Sequence, residues 1–95
     1  MEYFFVYILQ CVDGSYYVGH TDDIEKRMCE HQSGSGSKYT AMRRPVTLVF
    51  CEKFSSRAEA LELERRVKTW SRKKKEALME GNWSKVSQYA KKKFD

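Results

Sequence analysis

The sequence predicts an α+β domain: a three-stranded antiparallel sheet flanked by helices, in the order β-β-α-β-α-α. Three observations carry that expectation. Two runs rich in Tyr, Phe, Val and Ile meet at Asp13-Gly14, a hairpin signal. A third such run follows Pro45. Three segments of helical period each begin at an Asp or Ser that can cap a helix. With 95 residues the chain suits one compact domain. Its 41% hydrophobic and 33% charged composition excludes a disordered chain.

The first two strands are expected over residues 3–12 and 15–20. Their register follows from patterning. A two-residue turn at Asp13-Gly14 would put Tyr7 and Tyr17 on opposite faces. A three-residue loop of Val12, Asp13 and a left-handed Gly14 pairs Tyr7 with Gly19 and Leu9 with Tyr17. In that register Phe4, Val6, Ile8, Tyr16 and Val18 share one largely apolar face, a coherent core, so the second register is favoured. Tyr7, Tyr17 and the bare backbone of Gly19 then share the opposite face. Tyrosines so placed serve either as half-buried packing residues or as hydroxyl-bearing site groups.

Asp22 with Glu25 opens a helix over 23–32, which Ser33-Gly34-Ser35-Gly36-Ser37 ends in a loop. The third strand runs over 46–54. Ser56 with Glu59 opens a long helix over 57–69. Ser71 caps another that stops at Gly81. Ser84 starts a short final helix, and Lys91-Lys92-Lys93 lies in a basic tail. The expected division is a domain over 1–82 and a helical, basic extension over 83–95.

Charge is unevenly spread. Residues 65–95 hold 11 Lys or Arg against 3 Asp or Glu, whereas residues 1–64 hold 7 against 10. A basic C-terminal third points to a polyanion partner or to a solvated basic helix. No apolar run approaches the roughly 20 residues that span a bilayer, and the start has no basic leader or cleavage site. Cys11, Cys29 and Cys51 form no ligand-like spacing and are expected to be reduced thiols without a disulfide partner, in a cytoplasmic protein.

Arg27 and His31 lie four apart on one helix face, with Ile24 and Met28 on its apolar side. Arg27 either snorkels and pairs with Asp23 or, with His31, holds a phosphate. Glu64 falls in or beside the apolar stripe of Ala60, Leu63 and Val67. A carboxylate there needs compensation. Either Lys68 pairs with it, or a divalent cation such as Mg²⁺ does. The segment Gly36-Ser37-Lys38-Tyr39-Thr40 with Arg43 and Arg44 suits backbone contacts to nucleic acid, with Tyr39 free to stack on a base. Arg72, Lys73, Lys74 and Lys75 begin a helix against its macrodipole, a cost that a bound polyanion would offset.

These pieces together resemble the GIY-YIG nuclease superfamily over about residues 4–80, most closely its small stand-alone bacterial members. The hallmark reads Phe5-Val6-Tyr7 and Tyr17-Val18-Gly19, followed by Thr21 to Arg27, His31, Gly36 to Thr40 and Glu64 to Trp70. The resemblance implies Mg²⁺-dependent hydrolysis of DNA phosphodiesters, with Mn²⁺ as a possible substitute. It implies Tyr7, Tyr17, Arg27, His31 and His20 as catalytic groups and Glu64 as the metal ligand. Lys38, Tyr39, Arg43, Arg44, Lys68, Arg72, Lys73, Lys74 and Lys75 are the expected nucleic-acid contacts. Phe5 stands at the first Gly of the hallmark, and His20 stands where many members place Lys. The expected function is a structure-directed DNA endonuclease in repair or processing. The alternatives are a catalytically weak or inactive nucleic-acid-binding module, and an adaptor for an acidic protein.

Overall fold

A computed structural model describes residues 2–81. The elements are β1 (Phe4–Gln10), β2 (Tyr16–Thr21), α1 (Ile24–Ser33), α2 (Lys38–Ala41), β3 (Thr47–Phe54), α3 (Arg57–Lys68) and α4 (Arg72–Met79). The sheet order is β2-β1-β3 with both pairings antiparallel, so β1 is central. The expected helix from Ser84, the tail at Lys91-Lys92-Lys93 and the extension over 83–95 lie outside the described residues. No helix among the described residues is long and apolar enough to cross a membrane. Cys11 is buried and Cys29 and Cys51 are exposed, all three as free thiols.

The hairpin adopts the three-residue loop. Cys11 N–H donates to the Ser15 carbonyl at 2.8 Å, Gly14 N–H donates to the Cys11 carbonyl at 2.9 Å, and Gly14 takes φ 85°. Tyr7 therefore pairs with Gly19 and Leu9 with Tyr17. The loop holds because Gly14 accepts a left-handed backbone without a Cβ penalty. The Asp13 carboxylate also accepts the Ser15 N–H at 3.0 Å and its O–H at 2.6 Å.

Two cores flank the sheet. On one face Val6, Ile8 and Val18 pack against Ala60 and Val67 of α3 and Ala77 and Leu78 of α4. On the other, Tyr7, Leu9 and Cys11 pack with Val46, Tyr17 and the Ile24 and Met28 side of α1. The tyrosine face is thus covered as well, and Val6 through Leu9 of β1 are buried on both sides. A strand buried on both faces reads as a continuous apolar run, as Val-Tyr-Ile-Leu does here.

Helix starts follow the side-chain chemistry. Ser56 Oγ accepts the Glu59 N–H and Ser71 Oγ accepts the Lys74 N–H, both at 3.2 Å. Caps of this kind contribute about 1 kcal/mol each. The cap of α1 is Asp23, one residue later than the sequence reading, with its carboxylate accepting the Lys26 N–H at 3.1 Å. Thr21 decides this. Its hydroxyl accepts the Asp23 N–H, holding Asp23 outside the helix, and Asp22 turns outward to within 3.8 Å of Arg57. The loop after α1 also contains the short α2, which the sequence reading leaves as loop. Ser37 caps it by accepting the Thr40 N–H at 3.1 Å.

Gly19 is where the register meets the site. A Cβ there would lie 2.5 Å from Tyr7 Oη and 2.7 Å from Tyr7 Cζ. The room above Gly19 is taken by the Tyr7 phenol, which crosses over β2 towards the outer edge of the sheet. Gly19→Ala should therefore push the phenol out of place and cost about 1–3 kcal/mol, as overpacking of a dense core does. Urea denaturation checks this, and an unchanged midpoint would contradict it.

Candidate functional site

The Tyr7 phenol is fully buried and held from two sides. Its Oη lies 2.8 Å from His31 Nε2 and accepts a hydrogen bond from Arg27 Nε at 3.3 Å. The other ring nitrogen of His31, Nδ1, lies 2.8 Å from Thr40 Oγ1, and Thr40 Oγ1 lies 2.9 Å from Ser37 Oγ. A hydrogen-bonded row thus runs from Tyr7 through His31 to α2. Both imidazole nitrogens are engaged, so a proton leaving Tyr7 for Nε2 leaves Nδ1–H to donate to Thr40.

Each partner in this row is positioned by its own element. Arg27 and His31 occupy one face of α1, four residues apart. Gly36 lets α2 close over the imidazole, since a Cβ at Gly36 would run into His31 Nδ1. Arg27 also donates to the Gly36 carbonyl at 3.0 Å and to Glu30 Oε1 at 3.2 Å. The pairing with Asp23 weighed from the sequence is replaced by Glu30, because Asp23 is committed to the cap. Tyr17 packs at the edge of the same group, with ring centroids 6.4 Å from Tyr7 and 5.2 Å from His31.

Burial sets the protonation states. Desolvation pushes Tyr7 up from 10 to about 12, against the lowering effect of the Arg27 hydrogen bond, with Tyr17 and Glu64 adding to the rise. Burial, together with the nearby Arg27 charge, pulls His31 below its ordinary value, so the ring is neutral at pH 7. Burial works against the charge of Arg27, but its hydrogen bonds to Tyr7 and Glu30 more than restore it.

A second group comes from the other side of β2. Glu64 on α3 is 9% exposed and uses both oxygens. Oε2 meets His20 Nδ1 at 2.5 Å and Oε1 meets Lys68 Nζ at 3.0 Å. The Lys68 pairing anticipated from i,i+4 spacing is present, and His20 is a second partner that spacing alone does not show. The charge of Glu64 reaches Tyr7, on which it acts to raise the pKa. Tyr17, which packs on His31, and Lys68, which bonds Glu64, both line a hollow at the outer edge of β2.

No group of three or more His, Cys, Asp or Glu among the described residues could hold a metal ion. A lone carboxylate still fits a hard divalent cation that keeps most of its water and takes other oxygens from a phosphate. Glu64 is such a carboxylate, buried in the protein and bonded by His20 and Lys68.

The expected nucleic-acid contacts divide. Lys38 and Lys73 are exposed, and Tyr39 lies at the surface, with the Arg43 guanidinium 3.9 Å over its ring. Arg43 also bonds Asp13 and the Tyr39 carbonyl, and Arg44 bonds the Ala41 and Gln32 carbonyls, so both hold their own loop together. Arg72 donates to the Gly14 carbonyl and pairs with Glu76, joining α4 to the hairpin. Lys75 is half-buried beside Lys68 in the edge hollow. Lys74 is a correction. It is 1% exposed, with Nζ 3.9 Å over the Trp70 ring, so it packs between helices instead of facing a polyanion.

Thr40 and Glu30 carry contacts that the sequence reading does not single out by role. Thr40 lies within a quoted motif, and its spacing from Ser37 is a capping spacing. That signal marks a helix start but not the contact with His31.

A family model described as the GIY-YIG catalytic domain matches residues 3–77. The chain is 50% identical over 76 residues to a UPF0213 protein of Bacillus pumilus, covering 80% of this chain and 78% of that protein. It is 51% identical over 73 residues to a UPF0213 protein of Halobacterium salinarum, covering 77% and 95%. A solution NMR structure of a UPF0213 protein from Bacillus halodurans is similar at 47% identity and TM-score 0.55, covering 82% of this chain and 83% of that one. A solution NMR structure of a protein from E. faecalis is similar at 41% identity and TM-score 0.59, covering 85% and 90%.

The buried neutral phenol makes stability depend on pH in a defined direction. Because Tyr7 is raised from 10 to about 12, its contribution is complete below pH 10 and is lost as the pH climbs through about 12. Chemical denaturation of the Tyr7→Phe protein between pH 9 and pH 12 should show a smaller alkaline loss than the parent. Equal losses would contradict the assignment.

Proposed function

Because the chain belongs to the GIY-YIG catalytic domain family, a family of nucleases, we propose that it is a divalent-metal-dependent endonuclease that hydrolyses DNA phosphodiester bonds. The observation that carries this reading is the Tyr7 hydroxyl, bonded to His31 and Arg27 and within reach of the Glu64 charge. No other group of described residues combines a proton-transfer pair, a fixed guanidinium and a compensated carboxylate.

Glu64 would hold the cation, Mg²⁺ or Mn²⁺, which would supply Lewis-acid polarisation of the phosphate and charge neutralisation. Arg27 stays charged and offers its planar donors to phosphoryl oxygens as negative charge grows there. To do so it exchanges the Glu30 contact for the phosphate, while Nε stays on Tyr7. Tyr17 positions the phosphate through its hydroxyl.

Tyr7 is a poor base by itself, since burial keeps it protonated far above pH 7. The row to His31 resolves this. As the attacking water gives a proton to Tyr7 Oη, the Tyr7 proton passes to His31 Nε2, and the resulting hydroxide attacks phosphorus. His31 accepts because it is neutral at pH 7, and its Nδ1–H donates to Thr40 throughout. The leaving oxygen takes its proton from solvent. His20 and Lys68 orient the Glu64 carboxylate. Exposed Lys38 and Lys73 contact the flanking backbone without reading base identity. With so little surface for base readout, such a nuclease is directed by DNA structure more than by sequence, and its proposed setting is DNA repair or processing.

A nucleic-acid-binding module without catalysis is the second reading, favoured by one observation: each Glu64 oxygen already has a protein partner, His20 or Lys68.

The test is cleavage of labelled branched, nicked and linear DNA in Mg²⁺ or EDTA. The parent should cut only with metal. Glu64→Gln and Arg27→Lys should each lose at least about 100-fold, as removal of a transition-state contact does. Metal-independent cutting, or full activity in Glu64→Gln, would contradict the reading.

A further inference from the structure

Tyr7, His31 and Thr40 are each fully buried, so no solvent adjusts the protons along their row. Where each proton sits follows from counting donors and acceptors. Arg27 Nε only donates, and it donates to Tyr7 Oη. Among the described residues the other partner of Oη is His31 Nε2, at 2.8 Å. The phenol proton therefore goes to Nε2, which must be bare to accept it. A proton on Nε2 would instead give Oη two donors and leave the phenol proton buried without an acceptor, a costly arrangement.

At neutral pH the imidazole carries one proton, since burial and the Arg27 charge pull His31 below its ordinary value. With Nε2 bare, that proton is on Nδ1 and needs an acceptor. Thr40 Oγ1 is 2.8 Å away. The Thr40 hydroxyl has its own outlets, the Ser37 carbonyl at 3.4 Å, which can only accept, and Ser37 Oγ at 2.9 Å. Its lone pairs are thus left for His31. The ring itself is boxed in. A Cβ on Gly36 would collide with Nδ1, and the Tyr17 ring stands edge-on with its centroid 5.2 Å away.

We propose that Thr40 is a positioning residue that holds His31 as its Nδ1–H tautomer and so keeps Nε2 open to the Tyr7 proton. The tautomer follows from geometry alone, and its catalytic meaning rests on the nuclease reading. A ring protonated on Nε2 takes nothing from Tyr7, and the phenol can then hand on no proton received from water. Thr40 acts only through the imidazole. Valine in its place keeps the side-chain shape, removes the acceptor and strands Nδ1–H.

The test is a long-range proton–nitrogen correlation spectrum of the histidine rings at neutral pH, in which protonated and bare nitrogens resonate far apart. The parent should show His31 protonated on Nδ1 and bare on Nε2. Thr40→Val should move the tautomer ratio roughly 10-fold or more toward Nε2–H, the scale of one buried donor left without an acceptor. Thr40→Ser restores the hydroxyl and should return the parent spectrum. In DNA cleavage with Mg²⁺, Thr40→Val should lower kcat about 10-fold or more while changing KM less than about 2-fold, and Thr40→Ser should recover it. A parent ring protonated on Nε2, a Thr40→Val ring that keeps the parent tautomer, or a Thr40→Ser ring that matches Thr40→Val would overturn the proposal. A shifted tautomer with unchanged kcat would overturn the catalytic part of it. A parent protein that cuts no DNA would defeat the nuclease reading, while the spectra would still decide the tautomer.

Discussion

The structure depends on one close approach, the Tyr7 phenol crossing β2 over the bare backbone of Gly19. It lets the tyrosine of the central strand, buried in the second core, lay its hydroxyl over β2, where it feels the Glu64 charge from the other side of that strand. The approach has a cost, since a polar hydroxyl is carried into a buried site. Contacts with His31 and Arg27 offset that cost. No buried side-chain polar atom among the described residues is left without a partner.

The same contacts that stabilise the hydroxyl set its chemistry. Burial keeps Tyr7 and His31 neutral, while Arg27 remains charged. A neutral imidazole against a neutral phenol is a proton-transfer pair; a charged imidazole would only donate. On the opposite side of β2, Glu64 is held by His20 and Lys68. His20 directly follows the second hallmark triplet, Tyr17-Val18-Gly19. Its direct contact with Glu64 makes it a partner of the carboxylate, not of the phenol. Satisfaction of polar groups, which holds the fold together, is thus also what prepares the site.

Much of this was legible in the residues. The alternation of Phe4, Val6 and Ile8 against Tyr16 and Val18 selects the register, and the register places Tyr7 opposite Gly19. Ser56 and Ser71 announce their helices. The misses have physical reasons. Asp22 and Asp23 are adjacent candidates for one cap, and a tertiary detail, the Thr21 hydroxyl, decides between them. α2 is a single turn, too short for periodicity to register. Lys74 belongs to a run of four basic residues, and composition cannot tell which of them turns inward onto Trp70. His20 with Glu64, and His31 with Thr40, join segments that only the folded chain brings together.

The central claim is that groups from both faces of the sheet form one site across Gly19. Paramagnetic broadening by Mn²⁺ tests it most directly. In isotope-labelled protein, substoichiometric Mn²⁺ should broaden Glu64 first, together with the Gly19 and His20 amides and the Arg27 Nε–H, and the broadening should vanish in Glu64→Gln. Broadening centred on other carboxylates, or at Glu64 with the Arg27 Nε–H untouched, would contradict a single site.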